Sequence, residues 1–314
     1  MFNVNSQAQF KIDLHSHTSC SDGKYTPFEL IKRAISVDLS VFAITDHDNM
    51  DSIEIVKDVS IPSTMTFIPG IELTTRSCLL DEADFHLVLL FPQMSKGQYK
   101  CRQIINKSKL NHLKQLLQDN LYVREQRMRW LIEHLKTQHK LEVEWQEFHE
   151  YHLVNAKNRE LIQRYSIAKY LVHKQYAKSV QHAFDTYLYQ NIPSQYFQLE
   201  EMIQLAVNMN AIPILAHPLQ YVQISQQLSQ CFKIWKGMGL RVIEIEHPAM
   251  SPSDKKYLRK IAKQNKFFQS IASDFHNEER SNGWKSDLGN TKGNQLVSLA
   301  EKQRLIKYIF TAKK

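Results

Sequence analysis

Ile12-Asp13-Leu14-His15-Ser16-His17 ends a short apolar run on two histidines one residue apart, and Asp274-Phe275-His276 repeats the arrangement near the far end of the chain. Side chains two apart in an extended strand point to the same side, so each run aims two ligand-type groups into one small volume. More such groups lie between them. Val41 to Thr45 leads into Asp46-His47-Asp48, Phe67 to Ile71 into Glu72, Ile212 to Ala216 into His217, and Val242 to Ile245 into Glu246-His247. His86 is the exception, because it opens the apolar run Leu87 to Phe91 instead of closing one. Asp22, in the Ser21-Asp22-Gly23 turn, follows His17 closely enough to fold back onto the same mouth.

A single ion takes three or four protein ligands. His15, His17, Asp22, His47, Glu72, His86, His217, Asp274 and His276 are nine, too many for one ion, so the pattern implies a multinuclear metal centre. A histidine beside an apolar run is ordinarily a hydrogen-bonded core or surface residue, and an aspartate before a turn is ordinarily a cap. Placement tips the balance: of fourteen histidines, seven lie outside residues 101–200, and six of those seven stand in these clusters. The seventh, His247, suits an orienting role as well as a ligand's, and Asp46 and Asp48 are expected to orient His47.

With 314 residues, 43% hydrophobic and 23% charged, the chain has the length and composition of an ordinary globular protein with ample core. Met1 to Phe10 lacks the basic start and apolar stretch of a signal peptide. No run approaches the roughly 20 apolar residues needed to span a bilayer, so a cytoplasmic location with no membrane partner is expected. Cys20, Cys78, Cys101 and Cys231 show no C-x-x-C spacing and are expected to be free thiols. None of the eight glycines forms a phosphate-cradling loop, which leaves metals and side chains to hold any phosphate. The formal charge of +8 is compatible with anionic substrates such as nucleotides or RNA. Residues 101–200 carry 15 Lys/Arg against 10 Asp/Glu, a surplus equally suited to a solvated helical face.

Seven apolar segments read as strands, about 11–15, 41–45, 66–72, 86–91, 211–216, 241–246 and 268–273. Thr26-Pro27-Phe28-Glu29 starts a helix, with Thr26 as cap, Pro27 in the first turn and Glu29 completing a capping box. Residues 198–209 and 253–265 also read as helices. Strands alternating with helices imply a parallel sheet, and ligands at strand carboxyl ends are what a β/α barrel presents at its catalytic face. Residues 101–190 differ, with helical spacing such as Met128, Leu131, Ile132 and Leu135 and neither proline nor glycine. The expected organisation is a first barrel part over 10–100, an inserted helical subdomain over 101–198 and a second barrel part over 199–314.

Asp13-Leu14-His15-Ser16-His17-Thr18, Ser21-Asp22-Gly23, Ile44-Thr45-Asp46-His47-Asp48, Pro69-Gly70-Ile71-Glu72, Leu215-Ala216-His217-Pro218 and Ser273-Asp274-Phe275-His276 resemble, in order and spacing, the PHP (polymerase and histidinol phosphatase) family of metal-dependent phosphoesterases. The likeness is to its YciV-like branch, whose members are nucleotide phosphatases and short-RNA exonucleases. Arg164 to Ala168 and Ser179 to Asp185 also resemble that branch's helical subdomain. The resemblance implies an α/β fold, a distorted seven-stranded (βα) barrel with an inserted helical subdomain, and three metal ions. One ion would take His15, His17, Glu72 and Asp274; a second would share Glu72 with His86 and His217; a third would use Asp22 and His47 with His276 or His217. Gln190, Asn191 and Asn277 stand where relatives often carry glycine, which bears on substrate contacts and not on the metal ligands.

The implied reaction is in-line attack of a metal-bound hydroxide on a nucleotide phosphate, such as a nucleoside 3′,5′-bisphosphate, or on short 5′-phosphorylated RNA. His15, His17, Asp22, His47, Glu72, Asp274 and His276 would form the catalytic set, with Glu72 as bridge. Arg76, just beyond Glu72, and Arg164 would contact substrate. Imidazole and carboxylate ligands without thiolate suit Mn²⁺, Zn²⁺ or Fe²⁺, with Mg²⁺ possible, and the resemblance puts Mn²⁺ first. Histidinol-phosphate hydrolysis and a non-catalytic metal-binding regulatory module are the competing readings.

Overall fold

The computed structural model describes residues 10–99, 101, 104–155, 162, 164–188, 196–247, 250–278, 287–289 and 292–311. Its sheet is built from β1 (Lys11–Asp13), β2 (Leu39–Ile44), β3 (Thr66–Ser77), β4 (Ala83–Leu90), β5 (Lys96–Gly97), β6 (Phe197–Gln198), β7 (Ile212–Ala216), β8 (Val242–Glu244) and β9 (Phe268–Ser270). Seven of these run side by side in the order β1-β2-β3-β4-β7-β8-β9, while β5 and β6 each pair with β3. The two ends of the row meet just past the strands. Leu14 N donates to Ile271 O at 3.0 Å and His17 N to Phe275 O at 2.8 Å, with Ser16 and Phe275 forming a parallel bridge. The sheet thereby curls into a distorted barrel.

Alternation along β2 shows how the strands divide their side chains. Val41 and Ala43 join a cluster with Ile12, Ile68, Val88, Ile214 and Val242, whereas Phe42 and Ile44 join another with Leu30, Ile31 and Ala34 of α1 (Pro27–Ser36). Helix α1 begins as expected: Thr26 caps it, Glu29 closes the capping box and Pro27 opens the first turn. The first cluster also takes Leu305, Ile306, Ile309 and Phe310 of the last helix (Leu299–Thr311), which packs against residues contributed by most of the strands. A short helix over Asp51–Ile55 follows β2, and helices over Leu199–Met209 and Pro252–Asn265 precede β7 and β9. Between β7 and β8 lies a further helix, Gln226–Met238, not among the expected elements: Leu228, Cys231, Phe232 and Trp235 share its buried face, Ser225 caps it and Gly239 ends it at φ 114°.

The expectation of a parallel sheet needs one correction. β4 runs antiparallel to both β3 and β7, with Thr74 opposite His86 and His86 opposite Ala216. No crossover helix separates β3 from β4. A short 3₁₀ turn at Cys78–Leu80 joins them as a hairpin, and two-strand hairpins are antiparallel by construction. Pairing also extends β3 to Ser77, beyond the apolar run that marks it in sequence. The reversal explains the odd position of His86: the beginning of an antiparallel strand lies at the same end of the sheet as the carboxyl ends of its parallel neighbours.

Residues His112–Tyr196 make a second compact unit, distinct from the unit of 1–111 and 197–314. Its helices are Lys107–Gln138, which begins before the unit's boundary, Trp145–Asn155, Arg164–His173 and Val180–Tyr187. Its core gathers Met128, Leu131, Leu135, Phe148, Tyr170 and Leu171. Among the described residues no helix is long and apolar enough to cross a membrane. None of the four cysteines is in a disulfide.

Edge strand β1 is short, and a side chain completes its hydrogen bonding. Asn294 Oδ1 accepts from Ile12 N at 2.9 Å and its amide donates to Ile12 O at 2.8 Å, imitating a neighbouring strand. Asn294→Ala is expected to lower the unfolding free energy by about 2 kcal/mol or more, because buried backbone groups lose their partners. Urea denaturation of the variant beside the parent protein measures it.

Candidate metal centre

Each residue of the centre arrives by a local backbone device. His15 and His17 extend β1, and the chain then turns so sharply that a Cβ on Gly23 would lie 2.3 Å from His17 O. That close approach sets Asp22 beside His17. His47 follows β2 and bridges to Glu72 in parallel register, with Glu72 N donating to Asp46 O and Asp48 N donating to Glu72 O. His217 and Asp274 follow β7 and β9 with φ of 25° and 49°. Non-glycine residues held at positive φ cost about 1–3 kcal/mol and gather at functional sites.

All nine expected ligands come together. Glu72 is fully buried and divides its two oxygens between two sets of rings. Oε2 lies 3.1 Å from His15 Nε2, 3.1 Å from His17 Nε2 and 3.0 Å from His47 Nδ1. Oε1 lies 2.9 Å from His86 Nδ1 and 3.1 Å from His217 Nε2. Asp274 Oδ1 is 3.1 Å from His17 Nε2 and 3.5 Å from His15 Nε2. On the far side of His17, Asp22 Oδ1 lies 3.2 Å from His276 Nε2, and its other oxygen 3.8 Å from His47 Nε2. Three groups among the described residues bring ligand atoms within 4.8 Å of one another: His15, His17, Glu72 and Asp274; His17, Asp22, His47 and His276; and His47, Glu72 and His86.

The contacts are close but are not all hydrogen bonds. Glu72 Oε2 and His47 Nδ1 are buried and neither finds a hydrogen-bonding partner, despite their short separation. His17 Nδ1 is buried and equally unpartnered. His15 Nε2 and His17 Nε2 face each other at 3.1 Å, an approach that needs a proton or a cation between two lone pairs. Buried polar atoms left in this state cost free energy, and several of them converging on one volume fit divalent ions. The donor set of imidazole and carboxylate without thiolate fits first-row metals.

Charge sorts the rings into two kinds. Burial opposes a positive His17, but the Asp274 and Glu72 carboxylates, each 3.1 Å from its Nε2, outweigh it and push its pKa up to about 10. His15 moves the same way, burial being overcome by Glu72, Glu244 and Asp274. Burial dominates for His47 and His217, which fall to about 4 and carry free lone pairs at neutral pH. Glu72 and Asp274 stay ionised far below the usual carboxylate range, because the surrounding imidazoles overcome the cost of burial.

A second layer holds the first. Glu244, which the sequence shows only as part of an apolar strand, accepts from His15 Nδ1 at 2.8 Å and from His217 N at 2.9 Å. His247 is buried and its Nε2 lies 3.1 Å from Asp274 Oδ2. Asp13 accepts from Ser273 N and Gly289 N, and burial pushes its carboxyl up to about 6 against those hydrogen bonds. Asp46 does not turn to His47 as expected. It accepts from Thr18 N, Thr18 Oγ1 and Ser21 Oγ, and so positions the loop that carries Asp22. Asp48 accepts from Thr74 N. Arg76, on β3, donates from Nε to Asp84 at 2.8 Å. Arg164 belongs to the helical unit, where it donates to Leu188 O and lies over the Phe184 ring.

The chain matches the PHP domain over residues 13–246. It is 25% identical over 270 residues to the 5′-3′ exoribonuclease Rnm of Salmonella typhimurium strain LT2, covering 84% of each chain. It is 23% identical to the 3′,5′-nucleoside bisphosphate phosphatase of Chromobacterium violaceum, covering 84% of this chain and 87% of that one. Among solved structures, a candidate metal-dependent phosphoesterase from Bifidobacterium adolescentis superposes with a TM-score of 0.69 at 20% identity, covering 95% of this chain and 96% of that one. An amidohydrolase from Chromobacterium violaceum gives a TM-score of 0.65 at 22% identity, over 85% of this chain and 87% of that one.

Two outcomes follow from the charge state and the second layer. In the metal-free protein the raised His15 and His17 stabilise the fold below about pH 6.5, and that contribution is lost as pH rises through the folded value of about 10 for His17. A cation displaces those protons, so Mn²⁺ binding is expected to release protons and to tighten with rising pH across that window. Calorimetry in buffers of differing ionisation enthalpy measures the release, and binding with no proton release contradicts this account. Glu244→Gln, which weakens the hold on His15, should cut metal affinity about 10–100-fold, measured by competition with a metal indicator.

Proposed function

Because the chain belongs to the PHP domain family of metal-dependent phosphoesterases, we propose that it hydrolyses phosphate esters of nucleotides: a nucleoside 3′,5′-bisphosphate, a short 5′-phosphorylated RNA, or both. The observation that carries the proposal is the shared Glu72 carboxylate, whose two oxygens face separate sets of imidazoles while Oε2 lacks a hydrogen bond. A lone structural ion would be enclosed by its own set of ligands. Here three overlapping groups share members, an arrangement suited to several ions acting together. The curated relatives at 25% and 23% identity act, by their names, on RNA and on nucleoside bisphosphates. Both substrates end in a phosphate carried on a ribose.

His15, His17, Glu72 and Asp274 hold one ion; Glu72, His86 and His217 hold a second; Asp22, His47 and His276, with His17 at their side, hold a third. Mn²⁺ is the proposed metal. Bound divalent ions supply Lewis acidity, lowering the pKa of water from 15.7 towards about 7 and neutralising phosphate oxygens. The protein's part is to set the ligands in register, and its backbone does so through the His47–Glu72 bridge and the Asp46-anchored loop. Low pKa values at His47 and His217 keep those rings neutral. Glu72 and Asp274 stay ionised, so the anionic substrate meets a centre whose own negative charges are committed to cations.

Glu72→Gln is expected to lower kcat at least about a hundredfold, because even the orienting partners of metal ligands are worth about 10–100-fold. Steady-state assays with Mn²⁺ on adenosine 3′,5′-bisphosphate, on a 5′-phosphorylated RNA trimer and on histidinol phosphate test the substrate class. Turnover of histidinol phosphate alone overturns the nucleotide assignment, and an unchanged rate in Glu72→Gln overturns the catalytic one.

A further inference from the structure

Tyr221 stands at the mouth of the centre and has no part in the ligand scheme. The turn after β7 closes with Gln220 N donating to His217 O at 2.9 Å, and it swings the next side chain back over the site. The Tyr221 ring centroid lies 5.3 Å from that of His86 and 5.9 Å from that of His217, the latter edge-on. Those two rings are the pair that face Glu72 Oε1. Even with this packing, Tyr221 is 49% exposed, so one side is fixed against the ligands and the other is open.

The hydroxyl is held by a specific partner. Gln220 Nε2 donates to Tyr221 Oη at 3.0 Å and occupies one of its lone pairs. The phenol keeps its own proton to donate, and no acceptor for it is seen among the described residues. A ring fixed by two ligand imidazoles, with a free donor at its tip, is a built feature facing a centre that binds anions. From this geometry we infer that Tyr221 contacts the substrate, donating a hydrogen bond to a non-bridging oxygen of the phosphoryl group under attack, and that this group sits on the His86/His217 side of Glu72. The inference rests on the phosphoesterase reading above and deepens it, since it orients the phosphate across the centre, away from Asp22 and His276. Phenol to phosphate oxygen is a charge-assisted hydrogen bond, stronger than a neutral one.

Tyr221→Phe removes the oxygen and leaves the ring against His86 and His217. In Mn²⁺-loaded protein, the variant is expected to keep its metal content and melting temperature, to bind inorganic phosphate about tenfold more weakly, and to lose about tenfold in kcat/KM on adenosine 3′,5′-bisphosphate. Calorimetric titration with phosphate, metal analysis and steady-state kinetics read the three quantities. Phosphate affinity and kcat/KM unchanged from the parent, in a parent that does hydrolyse the bisphosphate, overturn the contact while leaving the phosphoesterase reading intact. Loss of metal in Tyr221→Phe also overturns it, because the residue would then serve only to pack the ligands. A Mn²⁺-loaded parent that neither binds phosphate nor turns over any phosphoester overturns both.

Discussion

A carboxylate enclosed by imidazoles and removed from water is the constraint around which this structure is arranged. Burying an isolated charge costs several kcal/mol, and Glu72 is fully buried in the middle of the sheet. It stays ionised because the imidazoles around it, His15 foremost, overcome the cost of burial; five histidines, His15, His17, His47, His86 and His217, approach its two oxygens within 3.1 Å. Those histidines reach it only if the carboxyl ends of β1, β2 and β7 lie level with the beginning of the antiparallel β4. The register of the sheet and the charge of one side chain are therefore a single requirement. A slip of one residue in any of these strands turns its histidine to the opposite face.

The reversed strand shows how much that requirement shapes the topology. In a wholly parallel sheet, β4 would deliver its last residue to the mouth, and His86 near its start would lie at the other end of the strand. Running antiparallel between β3 and β7, it places His86 opposite Thr74 and Ala216, beside the carboxyl end of β7 and next to His217. The same hairpin lengthens β3 and puts Arg76 and Asp84 across from each other at the rim. One change of direction brings His86 to Glu72 and sets Arg76 against Asp84.

What the sequence shows of this site depends on how each residue is tied to its strand. His15, His17, His47, Glu72, His217 and Asp274 follow apolar runs directly, so the period of the strand and the chemistry of its end coincide in a few residues. The direction of β4 is less open to reading, because Leu87 to Phe91 is equally apolar in either sense; only the absence of a helical pattern between Thr66 and Phe91 marks the hairpin. Glu244 is hidden for a different reason. It alternates within an apolar strand like any inward residue, and its meaning comes from His15 and His217, which are distant in sequence. Asp46 misleads through proximity: its neighbour is His47, yet its carboxylate serves Thr18 and Ser21. Tyr221 lacks any periodic signal, since an irregular turn places it.

These differences separate two layers with different physical tasks. The residues grouped around Glu72 sit at strand ends, where the backbone is held by the ladder and by few side chains. Those that hold them come from elsewhere: Glu244 grips a ring and a backbone amide at once, His247 steadies Asp274, and Asp13 accepts amides from Ser273 and Gly289, tying the first strand's end to the segment that carries Asp274 and His276. Each of these buried groups adds a side-chain tie at or just past a strand end. The positive φ values at His217 and Asp274 are tolerable because of this second layer. A strained residue persists only where its surroundings over-determine its position, and Glu244 on the amide of His217, with His247 on the carboxylate of Asp274, meets that condition. The ligand pattern states what chemistry is available, and the supporting acids decide that it is held at one fixed geometry.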